Sequence, residues 1–154
     1  MAVIGFAALA FGIFMLDLLV KNHIEKNLEE GEEKPFCEGR LLIKRYHNKG
    51  AFLDIGEGKQ RVVAMLSLGL TLFMTVIFLA TFSFRGNSTL KAGLALLLGG
   101  AYSNTYDRLA RKYVVDYVSF PVKNRRLRGI VFNISDFCIM IGALLLALGE
   151  AKRK

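Results

Sequence analysis

The chain has 154 residues, 53% of them hydrophobic, a mean hydropathy of +0.39, two prolines and a formal net charge of +8 from 21 basic and 13 acidic side chains. That is one domain's length. The composition excludes a disordered segment, and apolar runs as long as a membrane span exclude most soluble folds. The expected solvent is a bilayer, and no nucleic-acid partner is expected.

The first apolar run, residues 2–20, is broken only by Asp17. At 1.5 Å per helical residue it is long enough for a hydrocarbon core that takes about 20 residues. It lacks the basic start and small-residue cleavage site of a secretory signal, so a retained span is expected. The charged stretch KNHIEKNLEEGEEK is then expected to fray the helix end into water. Residues 40–48 (RLLIKRYHN), with Gly50, Gly56 and Gly58 after them, predict a small sheet or hairpin at the membrane surface. Apolar runs at 62–84, 90–106 and 130–148 complete four spans. The third is short and rich in small residues (Gly93, Gly99, Gly100, Ala101, Ser103), which let helix backbones approach closely in lipid.

The link FRGNSTLK between the second and third runs is a tight turn, whereas segments 21–61 and 107–129 are long and polar. Four spans put both termini on one side, so any chemistry belongs on the face carrying the two long segments. Within the second, residues 113–120 (YVVDYVSF) read as a short strand stopped by Pro121, with Asp116 on the face of Val114 and Val118. The predicted fold class is an all-α integral membrane protein, a single domain over 1–154 with four transmembrane helices and a small β-rich cradle. Orientation is left open by charge. Sixteen Lys and Arg residues in the long segments, against five in the turn and tail, favour the long segments inside, yet eight acids nearly neutralise the first of them.

An ionisable side chain deep in a span costs about 2.5–3.5 kcal/mol on insertion scales, so each one invites a functional reading. Asp17 and Lys21 stand at i and i+4, an ion pair that either pins the helix end or positions a nearby carboxylate or lipid phosphate. In NTYDR, Asn104, Asp107 and Arg108 share a helix face. Arg108 either holds a carboxylate bidentately or joins Asp107 and Arg111 in a structural network. In FNISD, the spacing of Asn133 and Asp136 is that of a helix cap, and equally that of a base at a helix start. Asp116 gains nothing from packing among valines and tyrosine, and desolvation should raise its pKa. If its stretch folds back over the fourth helix, Asp116 meets Asp136. Two carboxyl groups sharing one proton is how aspartic proteases activate water and protonate a leaving amine. Asn48, beside Gly50, is either a turn residue or an amide for an extended substrate backbone. Cys37 and Cys138 are expected as free thiols. His23 and His47 lie 24 positions apart with no HExxH or CxxC motif, so no metal site is expected.

The order DLLVK (17–21), HNKGAF (47–52), GGAYSNTYDR (99–108), VVDYV (114–118) and FNISD (132–136) resembles bacterial lipoprotein signal peptidase, also called signal peptidase II. Five motifs in register cover nearly the whole chain. The resemblance implies an intramembrane aspartic endopeptidase that removes the signal peptide from diacylglyceryl-modified prolipoproteins, just before the lipidated cysteine, with no metal or organic cofactor. It implies Asp116 and Asp136 as the catalytic pair, Asn48, Asn104, Arg108 and Asn133 as residues holding substrate or the pair, and Asp17, Lys21 and Asp107 as supporting positions. It further implies a monomer among membrane lipids of the bacterial cytoplasmic membrane, with both termini inside and the active site near the outer face.

This chain departs from the family pattern in three places: Phe52 follows Ala51 directly, Ser103 replaces a glycine, and the stretch VKNRRLRG between the aspartates is unusually basic. That basic stretch is expected to contact anionic headgroups and to weaken in high salt. The rival readings are a catalytically inactive relative, a transporter subunit, and a metal-dependent lipid-headgroup transferase.

Overall fold

The structure is a computed structural model that describes residues 2–50, 58–84, 86–124 and 129–151; Phe52 and residues 125–128 of the basic stretch lie outside them. Four long helices are joined at one end by a small sheet. In chain order the elements are α1 (Ala2–Asn27), β1 (Glu33–Phe36), β2 (Leu41–Asn48), α2 (Gln60–Ala80) with a 3₁₀ turn at Thr81–Ser83, α3 (Ser88–Ala110), β3 (Val114–Ser119), β4 (Val131–Phe132) and α4 (Ile134–Ala151).

The helices are inside-out relative to a soluble bundle. Ile4 and Phe11 of α1 are 74% and 63% exposed, whereas Asp17 and Lys21 are completely buried. Along α1 the buried positions are Ile13, Asp17, Lys21 and Ile24, continued by Leu28 just past the helix end, all on one helical stripe. α1 and α2 are long and apolar enough to cross a membrane. α4 has a shorter apolar stretch, Ile134–Gly149. α3 holds Lys91, Asn104, Asp107 and Arg108 and is the most buried helix, shielded by the other three. Its glycines make that possible. A Cβ on Gly99 would lie 2.7 Å from the carbonyl oxygen of Ala10 in α1, and one on Gly100 would run into that of Ser135 in α4.

The sheet has the order β1-β2-β3-β4, with every pairing antiparallel. Its register places Tyr46 opposite Asp116, Asn48 opposite Val114, and Val118 opposite Phe132. The strands expected within 40–48 and 113–120 are β2 and β3. Residues 130–132 were expected to begin the fourth apolar run, but Val131 and Phe132 pair as β4 and the helix starts only at Ile134. The expectation that α1 frays after Lys21 is also corrected. The helix runs on to Asn27 because Ile24 and Leu28 pack on Val115 and Tyr117 of β3, which offsets the charges on the opposite side.

Gly100→Ala should separate α3 from the first turn of α4 and cost about 1–3 kcal/mol, read as a lowered Tm in detergent.

Candidate active site

Three chain segments deliver carboxylates and amides to one place. β3 carries Asp116, the start of α4 carries Asn133 and Asp136, and the end of α3 carries Asn104 and Arg108. Asp116, Asp136, Asn104 and Arg108, with Asn48 at the end of β2, line a cavity of about 380 Å³ whose other walls are the apolar faces of α2, α3 and α4 and residues 129–132, while Asn133 is fully buried. The spacing in FNISD forms the expected helix cap. Asn133 Oδ1 accepts from Asp136 N–H at 2.9 Å, and Asp136 Oδ2 accepts from Asn133 N–H at 3.0 Å, a reciprocal helix cap that also fixes Asp136 at the cavity wall.

Each amide side chain is oriented by a partner that has only one hydrogen-bonding role. Lys21 Nζ can only donate, and it does so to Asn104 Oδ1 at 2.8 Å, so Asn104 Nδ2 turns to Asp136 Oδ1 at 2.9 Å. The Asn133 oxygen is taken by the Asp136 N–H, so its Nδ2 donates to Asp116 Oδ1 at 2.6 Å and to Asn104 Oδ1 at 3.2 Å. The Gly50 N–H donates to Asn48 Oδ1 at 3.1 Å, leaving Asn48 Nδ2 for Asp116 Oδ2 at 3.0 Å. Asn48 therefore makes the turn bond and, with the same amide, reaches Asp116. Burial first, and then the charge of Asp136, push the Asp116 carboxyl up to about 7 from 3.8, against the lowering effect of its bonds to Asn48 and Asn133.

Beneath the cavity lies a buried ionic network. Lys21 Nζ lies 2.8 Å from Asp17 Oδ2, 3.0 Å from Asp107 Oδ2 and 3.1 Å from Ser103 Oγ. Asp17 and Lys21 are thus fully buried against α3, about two to three turns before the end of α1, and do not pin a helix end. Asp107 also pairs with Arg111 Nε at 2.9 Å and accepts the Val115 N–H at 3.2 Å, which anchors the start of β3.

The anticipated structural network of Asp107, Arg108 and Arg111 holds for Asp107 and Arg111, but Arg108 turns to the cavity. It donates to the carbonyl oxygens of Asn104 and Gly50 at 3.3 and 3.4 Å, and its buried Nε has no hydrogen-bond partner among the described residues. The spacing agrees with this split, because Asp107 and Arg111 lie about 40° apart around the helix whereas Arg108 lies about 100° from Asp107.

Sequence reasoning gave no role to three residues of the network. Ser103 Oγ donates to Asp17 Oδ2 at 2.6 Å, Ser135 Oγ to the same oxygen at 2.5 Å, and Tyr117 Oη to Asp17 Oδ1 at 2.8 Å. Their one signal was adjacency, since each neighbours a chosen residue: Asn104, Asp136 or Asp116. The two cysteines are free, Cys37 on the surface and Cys138 partly buried.

Two carboxyl groups at one cavity, one on β3 and one on α4, in a protein whose long helices have apolar outer faces, fit the class of membrane-embedded aspartic hydrolases. More particularly, the chain belongs to the signal peptidase II family, whose model, described as signal peptidase (SPase) II, matches residues 9–151. Curated relatives named lipoprotein signal peptidase agree. That of Caldicellulosiruptor bescii is 34% identical over 86% of this chain and 81% of its own, and that of Pseudomonas fluorescens is 31% identical over 98% and 89%. A solved bacterial membrane enzyme structure at 2.3 Å resolution, 23% identical, superposes with a TM-score of 0.81 over 96% of this chain and 88% of the other, which shows the shared fold.

Replacing Lys21 by Met should cost about 3–5 kcal/mol, because Asp17 would then be buried without its counter-charge and Asp107 would keep only Arg111; chemical or thermal unfolding in detergent measures it. A second prediction concerns pH. Between about pH 4 and 7 the unfolded chain releases the Asp116 proton while the folded chain keeps it, so this residue lowers stability progressively across that window. The Tm of Asp116→Asn relative to wild type should therefore rise from pH 4 to 7 and level off above.

Proposed function

We propose that the Asp116–Asp136 pair hydrolyses the peptide bond that joins a signal peptide to the diacylglyceryl-modified cysteine of a prolipoprotein. The observation that carries this reading is the meeting of two carboxyl groups from distant parts of the chain at one cavity, each held by side-chain amides and free of any lysine or arginine ion pair among the described residues. One carboxylate takes a proton from water as the water oxygen attacks the scissile carbonyl carbon, and the protonated partner donates to the carbonyl oxygen. Collapse of the gem-diol intermediate breaks the C–N bond as the protonated carboxyl gives its proton to the leaving amine and the other carboxylate takes one from a hydroxyl of the diol, which forms the product acid and returns the pair to its singly protonated state. The raised pKa of Asp116 suits the partner that holds the proton near neutrality.

In this reading Asn48, Asn104 and Asn133 keep the pair in place, and Arg108, with an unused buried N–H, is set to hold a carbonyl oxygen of the bound chain. Asp17, Lys21 and Asp107 support them from below. The apolar wall formed by Leu70, Met74, Leu97 and Ile139 fits a substrate that enters from lipid.

The single domain 1–154 crosses the bilayer four times, and segments 21–61 and 107–129 form the sheet-bearing outer face. In this reading the active site lies at the extracytoplasmic side of a bacterial cytoplasmic membrane, in a protein that acts as a monomer. Supporting this arrangement, the sheet and the carboxylates lie together at one end of the helices, where water can reach them.

Asp116→Asn and Asp136→Asn should each lower cleavage of a diacylglyceryl-modified prolipoprotein by roughly 10²–10⁴-fold while the protein still folds, followed by the mass shift of signal-peptide loss with chelator present. Near-normal turnover by either folded variant would refute the pair. No cleavage by folded wild type would point to an inactive relative.

A further inference from the structure

Tyr117 follows Asp116 directly and, by strand alternation, faces the other way. Val114 and Asp116 line the cavity, whereas Val115 and Tyr117 pack with Ile24 and Leu28 against α1. The residue is only 3% exposed, yet its hydroxyl does not end in apolar surroundings. It donates to Asp17 Oδ1 at 2.8 Å and accepts from the Ile134 N–H at 3.0 Å. Ile134 is the first residue of α4, and its N–H is one of four at a helix start that have no carbonyl partner within the helix.

We propose that Tyr117 is a positioning residue for the carboxylate pair: its hydroxyl, anchored on Asp17, sets where the first turn of α4 lies relative to β3, and so sets how far apart Asp116 and Asp136 are held. The inference rests on the reading of that pair as catalytic. Asp116 is one peptide before Tyr117, and Asp136 is two residues after Ile134. A single oxygen atom with two hydrogen bonds therefore joins the residue after Asp116 to the helix start two residues before Asp136, alongside the bridge that Asn133 makes between the Asp136 N–H and Asp116 Oδ1.

The anchor itself is rigid. Asp17 is completely buried and is held by Lys21, Ser103 and Ser135 as well as by Tyr117. Ser135 gives α4 a second tie to the same carboxylate, one residue before Asp136. A phenol suits this role because a flat ring with two torsions delivers one donor and one acceptor at a fixed reach. Burial and the neighbouring Asp17 charge push the phenol well above its ordinary range, so it remains a donor at working pH.

Two substitutions remove the bridge from opposite ends. Tyr117→Phe keeps the ring and deletes the hydroxyl, while Ile134→Pro deletes the N–H at the first helical position, where proline is accommodated. The experiment measures kcat, KM and the pH profile of kcat for cleavage of a diacylglyceryl-modified prolipoprotein in detergent, with Tm for every variant. The panel holds wild type, Tyr117→Phe, Ile134→Pro, the double variant and Asp116→Asn.

Each single variant is expected to lower kcat by on the order of tenfold with KM within about twofold, because displacement of the reacting groups acts on the chemical step. The limbs of the pH profile should move in both, since the separation of the carboxyl groups governs how strongly they perturb each other. The double variant should fall no further than either single one. A Tyr117→Phe enzyme with wild-type kcat and pH profile, whatever its Tm, would overturn the inference, as would fully additive losses in the double variant. If Tyr117→Phe does not fold, a folded Ile134→Pro enzyme with wild-type kcat and pH profile overturns it equally. Turnover by Asp116→Asn would remove the catalytic reading itself, whereas an inert Asp116→Asn beside an unaffected Tyr117→Phe would refute the positioning role alone.

Discussion

The buried ammonium of Lys21 is the constraint from which the polar order of the molecule follows. Lysine only donates, and here its three protons face four acceptors, from Asp17, Ser103, Asn104 and Asp107. Removing such a charge from water is costly unless it is paired and hydrogen-bonded. α1 and α3 therefore meet along this contact, with Gly99 permitting the close backbone approach. The same cation decides which way the Asn104 amide points, and the amide in turn decides which of its atoms Asp136 meets. A buried charge thus fixes the hydrogen-bond polarity around the Asp136 carboxyl group.

The sheet supplies what helices alone could not. Helix packing brings Asn104, Arg108 and Asp136 together from α3 and α4, but Asp116 belongs to a strand and needs strand register to arrive. Pairing of β3 with β2 puts Asp116 opposite Tyr46 and within reach of Asn48, and pairing with β4 delivers the chain directly into Asn133 and the first turn of α4. The two residues of β4 suffice because the cap between Asn133 and Asp136 starts the helix at once. The arrangement also satisfies backbone polar groups at the end of the helix bundle, where the local environment is only partly aqueous.

Several features were legible in the residues themselves. The apolar runs announced four helices, and β-branched and aromatic stretches ended by glycine or proline marked β2 and β3. Asp116 stood out because its valine and tyrosine neighbours offered it no structural reward. Other features resisted reading for identifiable reasons. KNHIEKN looked like a solvated end, since its few apolar residues signal helix only once β3 is present to cover Ile24. Val131 and Phe132 looked like the start of a span, because an apolar dipeptide has no period to distinguish strand from helix. Ser103, Tyr117 and Ser135 carried no periodic or motif signal for their convergence on one carboxylate.

The sequence by itself determined that this chain is built for a membrane, how its long helices are spaced, and which acids and amides are too costly to be incidental. Those properties depend on composition and local period, which are written along the chain. Only the tertiary structure decided that Asp17 and Lys21 lie beneath the site, that Arg108 leaves Asp107 for the cavity, and that one tyrosine oxygen joins α1 to the start of α4. Hydrogen-bond partnership between groups a hundred residues apart is a matter of packing and register, and no local pattern encodes it.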